Sequence, residues 1–262
     1  MDRIELLFLG TGTSAGVPMI GCDCDVCTST DPHDKRTRPS VVISYQNTRV
    51  LVDTTPELRI QCLANNVRQI DAVVYTHAHA DHIMGLDDVR RFNAIRNGPL
   101  DVWADQKTHA ALLRCFSYAF LEPSPEQKVF RPYLIPRTID GPFEIAGVHW
   151  IPIPLLHGDM PVLGFRVGSL AYCTDVSEIP ESSFALLNDL DVLVLDALQP
   201  QKHTTHFSLE EAIAAAQRIN AKQTLFTHIA HRMPHQATND QLPAGMRLAY
   251  DGQRVVAGAG PA

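Results

Sequence analysis

The 262-residue sequence lacks any apolar run near the roughly 20 residues that a membrane-spanning helix needs. Its opening segment, MDRIELLFLG, is too short and too acidic for a secretory signal, so a cytoplasmic location is the expectation, with no membrane partner. It also lacks an excess of positive charge. With 22 Lys and Arg against 29 Asp and Glu the formal net charge is -7, whereas a broad nucleic-acid surface demands a basic face. Nucleic acid is therefore not an expected partner. No internal repeat of about 20 to 50 residues and no low-complexity linker divides the chain, which excludes a solenoid and leaves residues 1–262 as a single expected domain.

What is present is a succession of short apolar runs, several of them separated by segments of helical period. IELLFLG, SVVISY, TRVLVD, DAVVYT, LDVWA, HWIPIPL, VLGFRVG, LAYCTD, DVLVLD and QTLFTH read as strands. Helices are expected at Pro56–Asn65, Met84–Ala94, Gln106–Phe116, Phe184–Leu190 and Ser208–Ile219, the last opened by a capping box of Ser208 and Glu211. The proline-rich piece Glu122–Pro142 reads as a long loop. SVVISYQNTRVLVD, with Gln46-Asn47 as its turn, is an antiparallel hairpin and argues against a purely parallel sheet. Two mixed sheets covered by helices fit this order better.

Six cysteines are spread unevenly: Cys22, Cys24 and Cys27 form C-x-C-x-x-C, while Cys62, Cys115 and Cys173 stand alone. In a cytosolic chain such a cluster reads as metal-binding or as reduced thiols. The glycines around it, Gly10, Gly12 and Gly16, do not complete G-x-G-x-x-G. Val17-Pro18 also stands where the helix of a dinucleotide fingerprint should open. Lys35, Arg36 and Arg38 form the main local basic run and are candidates for contact with a substrate phosphate.

The densest chemistry lies in VVYTHAHADHIMG, where His77, His79, Asp81 and His82 fall within six positions of a strand end. In extended backbone, residues two apart face the same way, so His77 and His79 can bind one metal side by side, and Asp81 and His82 can face a second as the chain turns. Nitrogen and carboxylate donors together suit zinc, manganese or iron. One segment cannot close two shells, and three later strand ends offer His157, Asp175 and His228.

H-x-H-x-D-H followed by a distant His, Asp and His resembles the metallo-β-lactamase superfamily over nearly the whole chain. The resemblance implies a four-layer αββα sandwich of two mixed sheets flanked by helices, with a pair of divalent metals, zinc or manganese, at one edge. It implies His77, His79 and His157 for one metal, Asp81, His82 and His228 for the other, Asp175 bridging, Asp53 behind the site, and Asp81 doubling as a catalytic residue. Such a pair acidifies a water at neutral pH and holds the substrate oxygen.

HTTHFSLEEA narrows the reaction, because His206 stands two residues before Ser208, where free N–H groups and the helix dipole favour an anion and a histidine can protonate a leaving group. The phosphodiesterase branch of the superfamily has a histidine shortly before such a helix, matched by His206 better than by His203. Within it the chain most resembles the PhnP-type phosphodiesterases, which hydrolyse phosphoribosyl cyclic phosphate and carry C-x-C-x-x-C plus a distant histidine for a structural zinc. Spacing admits either His33 or His231 as fourth ligand. The resemblance implies His231, completing a closed zinc knuckle whose cysteines lie in residues 21–28.

Ribonuclease Z fits less well, since the thirty residues 176–205 leave no room for its tRNA-clamping arm. PqqB-like proteins of pyrroloquinoline quinone biosynthesis share the glycine loop and cysteines and form the alternative, although they tend to lack the full ligand set. The expected partner is a small phosphodiester, and a homodimer is in keeping with related proteins.

Overall fold

In a computed structural model describing residues 3–122 and 130–258, fourteen strands form two seven-stranded sheets. The first holds β1 (Arg3–Gly10), β2 (Ser40–Tyr45), β3 (Thr48–Val52), β4 (Ala72–Val74), β5 (Leu100–Ala104) and β6 (Leu134–Thr138). The second holds β7 (Phe143–Ile145), β8 (Val148–His157), β9 (Met160–Val167), β10 (Leu170–Cys173), β11 (Val192–Asp196), β12 (Gln223–Thr227) and β13 (Met246–Leu248). The last strand, β14 (Arg254–Gly258), returns to the first sheet beside β1. Each sheet is half antiparallel and half parallel, with β3, β4, β5 and β6 running parallel in one and β10, β11, β12 and β13 in the other. The αββα sandwich of two mixed sheets is thus observed.

Both faces of each sheet are covered, which explains the unbroken apolar runs. In β1, Leu6 and Phe8 point between the sheets, where they share a core with Trp150, Phe165 and Tyr172. Leu7 and Leu9 point the other way, under α2 (Leu58–Ala64), α4 (Arg90–Arg96) and α5 (Gln106–Phe116). The second sheet buries Leu193 and Leu195 beneath α6 (Glu181–Phe184) and α7 (Leu209–Ile219). Short helices α1 (Asp25–Thr28), α3 (Ala80–Ile83) and α8 (His235–Asn239) occupy connecting segments.

Several expectations need correction. The helix expected over Met84–Ala94 is instead a break after α3, a 3-10 turn at Leu86–Val89 and then α4, which starts only at Arg90. The break lets Gly85 pass under the Thr55 carbonyl so closely that a Cβ there would lie 1.9 Å from that oxygen. The helix expected over Phe184–Leu190 is only α6 plus a 3-10 turn at Ala185–Leu187. The expected loop Glu122–Pro142, of which residues 123–129 lie outside the described residues, contains β6. Pro136 is tolerated there because β6 is an edge strand and needs no second ladder donor. The β2–β3 hairpin forms as expected, closed by the Tyr45–Thr48 pair with Gln46 at φ 50°.

Phe165 has no exposed surface and touches Trp150 and Phe143 in the inter-sheet core. Phe165→Ala is therefore expected to lower unfolding stability by about 3–5 kcal/mol, read by urea denaturation.

Candidate metal centre

The parallel halves of both sheets, together with β8, deliver strand ends to one edge of the sandwich. Asp53 follows β3, His77 follows β4, His157 ends β8, Asp175 follows β10, Asp196 ends β11 and His228 follows β12. Three of these positions, Asp53 at φ 65°, Asp175 at 57° and His228 at 60°, adopt the left-handed backbone region that non-glycine residues rarely occupy. Each such residue costs on the order of 1–3 kcal/mol, which the surrounding packing must hold in place. The gain is a sharp turn that throws the side chain across the sheet edge.

Two groups of donors result. Ligand atoms of His77, His79 and His157 lie within 4.8 Å of one another, and so do those of Asp81, His82, Asp175 and His228. Asp175 links the two: one oxygen lies 3.2 Å from His228 Nε2 and 4.0 Å from His77 Nε2, the other 3.2 Å from His82 Nε2. All but His79 are buried; His79 faces the open side. Behind them Asp53, wholly buried, accepts bonds from His82 Nδ1 at 2.8 Å and from the Thr76 amide and hydroxyl at 2.9 and 2.8 Å. This fixes His82 with Nε2 turned toward the centre. His157 Nδ1 is likewise held, donating to the Thr205 carbonyl at 2.6 Å.

The electrostatics are those of a cation site. Burial disfavours charge on Asp175 and Asp81, yet the neighbouring imidazoles His228 and His82 outweigh it and hold both carboxyls far below their ordinary range. Burial alone would strip His82 of its proton, but Asp175 and Asp53 outweigh it and push the imidazole well above its usual value. His228 is opposed by burial in the same way and raised by Asp175 to about 9. His77, with less carboxylate around it, follows burial and falls. His77 Nε2, His82 Nε2 and His228 Nε2 are nevertheless buried without a hydrogen-bond partner among the described residues. Orphaned imidazole nitrogens facing carboxylates fit divalent metals, which supply the charge that protons supply in their place.

His206 stands between the groups. It is buried, its ring lies 4.4 Å from that of His157 and stacks at 4.5 Å on that of His228, and its Nδ1 is 2.7 Å from Asp196 Oδ2. The sequence reading missed Asp196. The signal was the same strand-then-carboxylate pattern as in TRVLVD, here in DVLVLD. Asp196 Oδ2 also accepts from the Val176 amide at 2.8 Å, so it couples His206 to the loop that carries Asp175. His203 stays exposed, 5.4 Å from His206. The capping box expected at the N-terminus of α7 forms: the Ser208 amide donates to Glu211 Oε2 at 3.0 Å and the Glu211 amide to Ser208 Oγ at 3.3 Å.

The cysteine cluster forms beside this edge. His231 Nδ1 lies 3.2, 3.4 and 3.5 Å from the sulfurs of Cys22, Cys24 and Cys27, all free thiols. The Cys27 amide draws Cys24 down to about 6, while burial drives Cys27 up to about 11. Three converging sulfurs and one imidazole fit a tetrahedral zinc. His33 lies elsewhere, stacked on His235 at 4.7 Å. Backbone bonds stitch the glycine loop to the His228 loop, Ile229 N–H to Thr11 at 2.9 Å and Thr13 N–H to Ile229 at 3.2 Å. Lys35, Arg36 and Arg38 are spent on the scaffold: Lys35 Nζ donates to the Cys27 carbonyl, buried Arg36 to Thr11 and Ala249, and Arg38 to Ser14 and Glu57.

At pH 7 a group titrating near 9 carries its proton, so a metal ion taking His228 as a ligand would have to displace one. Zinc added to metal-free protein in weak buffer at pH 7 is expected to liberate protons, and affinity should climb with pH toward 9; both are read by pH-stat and calorimetric titration. Asp53→Asn, which weakens the acceptor behind His82, should reduce metal affinity roughly 10- to 100-fold in the same titration.

Comparison with known proteins agrees with this geometry. Residues 48–229 match the β-lactamase superfamily domain. The chain is 35% identical over 257 residues to an octanoyltransferase of Porphyromonas gingivalis; the match covers 97% of this chain and 51% of that one, so the chain spans about half the length of this relative. A ribonuclease Z of Bradyrhizobium is 24% identical, with 96% of both chains covered. The crystal structure of a diphosphatase from the PhnP family superposes with a TM-score of 0.91 at 45% identity, covering 98% of each chain. By sequence and by fold the chain belongs to the β-lactamase superfamily, in its PhnP-like branch.

Proposed function

We propose that the protein hydrolyses a small phosphodiester, cyclic or simple, such as phosphoribosyl 1,2-cyclic phosphate. The observation that carries this reading is the His206–Asp196 pair set against two buried donor groups. His77, His79, His157 and Asp175 would hold one divalent ion, zinc or manganese, and Asp81, His82, His228 and Asp175 the other. When bound, such ions supply an acidified water nucleophile and neutralise charge on the phosphoryl oxygens. Cys22, Cys24, Cys27 and His231 would hold a structural zinc.

The chain's own part is to place and move protons. Asp196 accepts from His206 Nδ1, which fixes the tautomer and turns the opposite nitrogen, Nε2, toward the space between the donor groups. A proton on that nitrogen passes to the departing alkoxide as the P–O bond breaks. Asp196 then balances the charge on the imidazole as it is reloaded. Stacking on His228 and edge contact with His157 keep the ring from swinging away.

A second reading is favoured by the 45% identical diphosphatase. A P–O–P bond offers the same disubstituted, anionic phosphorus as a diester, with phosphate as the leaving group. Phosphate leaves with less need of a proton than an alkoxide, so the two readings separate on His206.

Metal-loaded protein is expected to release nitrophenol from bis(p-nitrophenyl) phosphate, and His77→Ala to abolish this. His206→Ala should slow an alkyl cyclic diester by roughly 10²–10⁴-fold in kcat, and the activated aryl diester much less, because nitrophenolate departs unprotonated. Asp196→Asn should reproduce part of that selective loss. No turnover of any diester by metal-loaded protein, with diphosphates cleaved, would replace the first reading by the second. Oxygen consumption on a tyrosine-containing peptide in place of hydrolysis would point to the PqqB-like alternative.

A further inference from the structure

On the outer layer of the first sheet, away from the metal edge, α2 and α4 leave a groove of about 540 Å³ between them. Its floor is apolar and buried, made by Leu58, Cys62 and Phe92. Its walls are apolar and open: Leu63 is 67% exposed, Phe130 61% and Ile95 47%. Large aliphatic and aromatic side chains gathered in this way on one concave surface mark a binding face.

Charge says what covers it. Four arginines and one aspartate line the groove in a protein whose net charge is -7. Arg90 is committed, paired with Asp87 and lying 5.4 Å over the Phe130 ring. The Arg59 and Arg91 guanidinium groups make no hydrogen bond or ion pair among the described residues, and that of Arg68 bonds only the Asn66 side chain. Two-fold pairing of this face with a second copy would set arginine against arginine, which disfavours self-association here. A furrow between two helices, with an apolar floor and a basic rim, has the shape and chemistry for an amphipathic helix with acidic flanks. In the Porphyromonas gingivalis relative about half of the chain lies outside the aligned part.

We propose that the α2–α4 groove docks an acidic amphipathic helix of a partner protein, with its apolar stripe against Leu63, Ile95 and Phe130 and its carboxylates against Arg59, Arg68 and Arg91. The probe is a labelled synthetic helix bearing a Leu/Phe stripe flanked by glutamates, compared with the same helix flanked by lysines, both added to the full-length, metal-loaded protein in a fluorescence-anisotropy titration. The glutamate helix is expected to bind in the micromolar range, the lysine helix not, and binding should weaken with salt. Arg59→Glu combined with Arg91→Glu should weaken it at least about tenfold while the melting temperature and diesterase activity stay unchanged, since both side chains are exposed. Leu63→Ser should weaken it independently. Equal binding of the two helices, binding of neither, or indifference to the arginine variants would overturn the proposal. So would binding of phosphatidylglycerol vesicles in place of the acidic helix, or self-association in sedimentation that the arginine variants abolish.

Discussion

The metal edge depends on one constraint: carboxylates buried beyond the reach of water stay charged only when cations stand against them. Asp53, Asp81 and Asp175 are all buried, and the groups that face them are imidazoles from two separate segments of chain, His82 and His228. Each partner therefore needs the other in place. The arrangement fits either protons on His82 and His228 or the proposed divalent cations, which would compete for the same nitrogens. A site of this kind is polar at the centre and rigid at its margin.

Rigidity comes from the sheets. The two parallel half-sheets and β8 bring six strand ends to one edge, and the left-handed backbone at Asp53, Asp175 and His228 turns side chains inward where a continuing strand would carry them past. Strained positions persist only when their surroundings over-determine them. Here the inter-sheet core around Trp150 and Phe165 lies below, and backbone bonds from Thr11, Thr13 and Leu198 clasp the His228 loop from the sides. The cysteine knuckle belongs to the same clasp, since His231 is three residues from His228 and its partners lie on the glycine loop. Gly10 marks how tight that loop is, because a Cβ there would fall 2.0 Å from the Arg38 carbonyl. The opening glycines thus serve close backbone approach, and the basic run beside them is absorbed in holding it.

Much of the donor set was legible because it is local. His77, His79, Asp81 and His82 are neighbours in sequence, and strand period alone predicts that the first two share a face. Asp196 was not legible in the same way. A carboxylate closing an apolar strand is common, and only its distance to His206 and to the Val176 amide distinguishes it. Helix boundaries around residues 84–94 failed for a related reason, because the break at Gly85 answers to the Thr55 carbonyl, a contact with another segment.

The sequence by itself determined which chemistry could occur: donor types, their order along the chain and the apolar runs that must be covered on both faces. These follow from residue identity and local period. Tertiary structure alone decided which donors meet, that Asp175 reaches both groups, that His231 and not His33 joins the cysteines, and that Asp196 backs His206. Those outcomes rest on distances between residues far apart in the chain, fixed by the register of two sheets and by the charge balance of a dry interior.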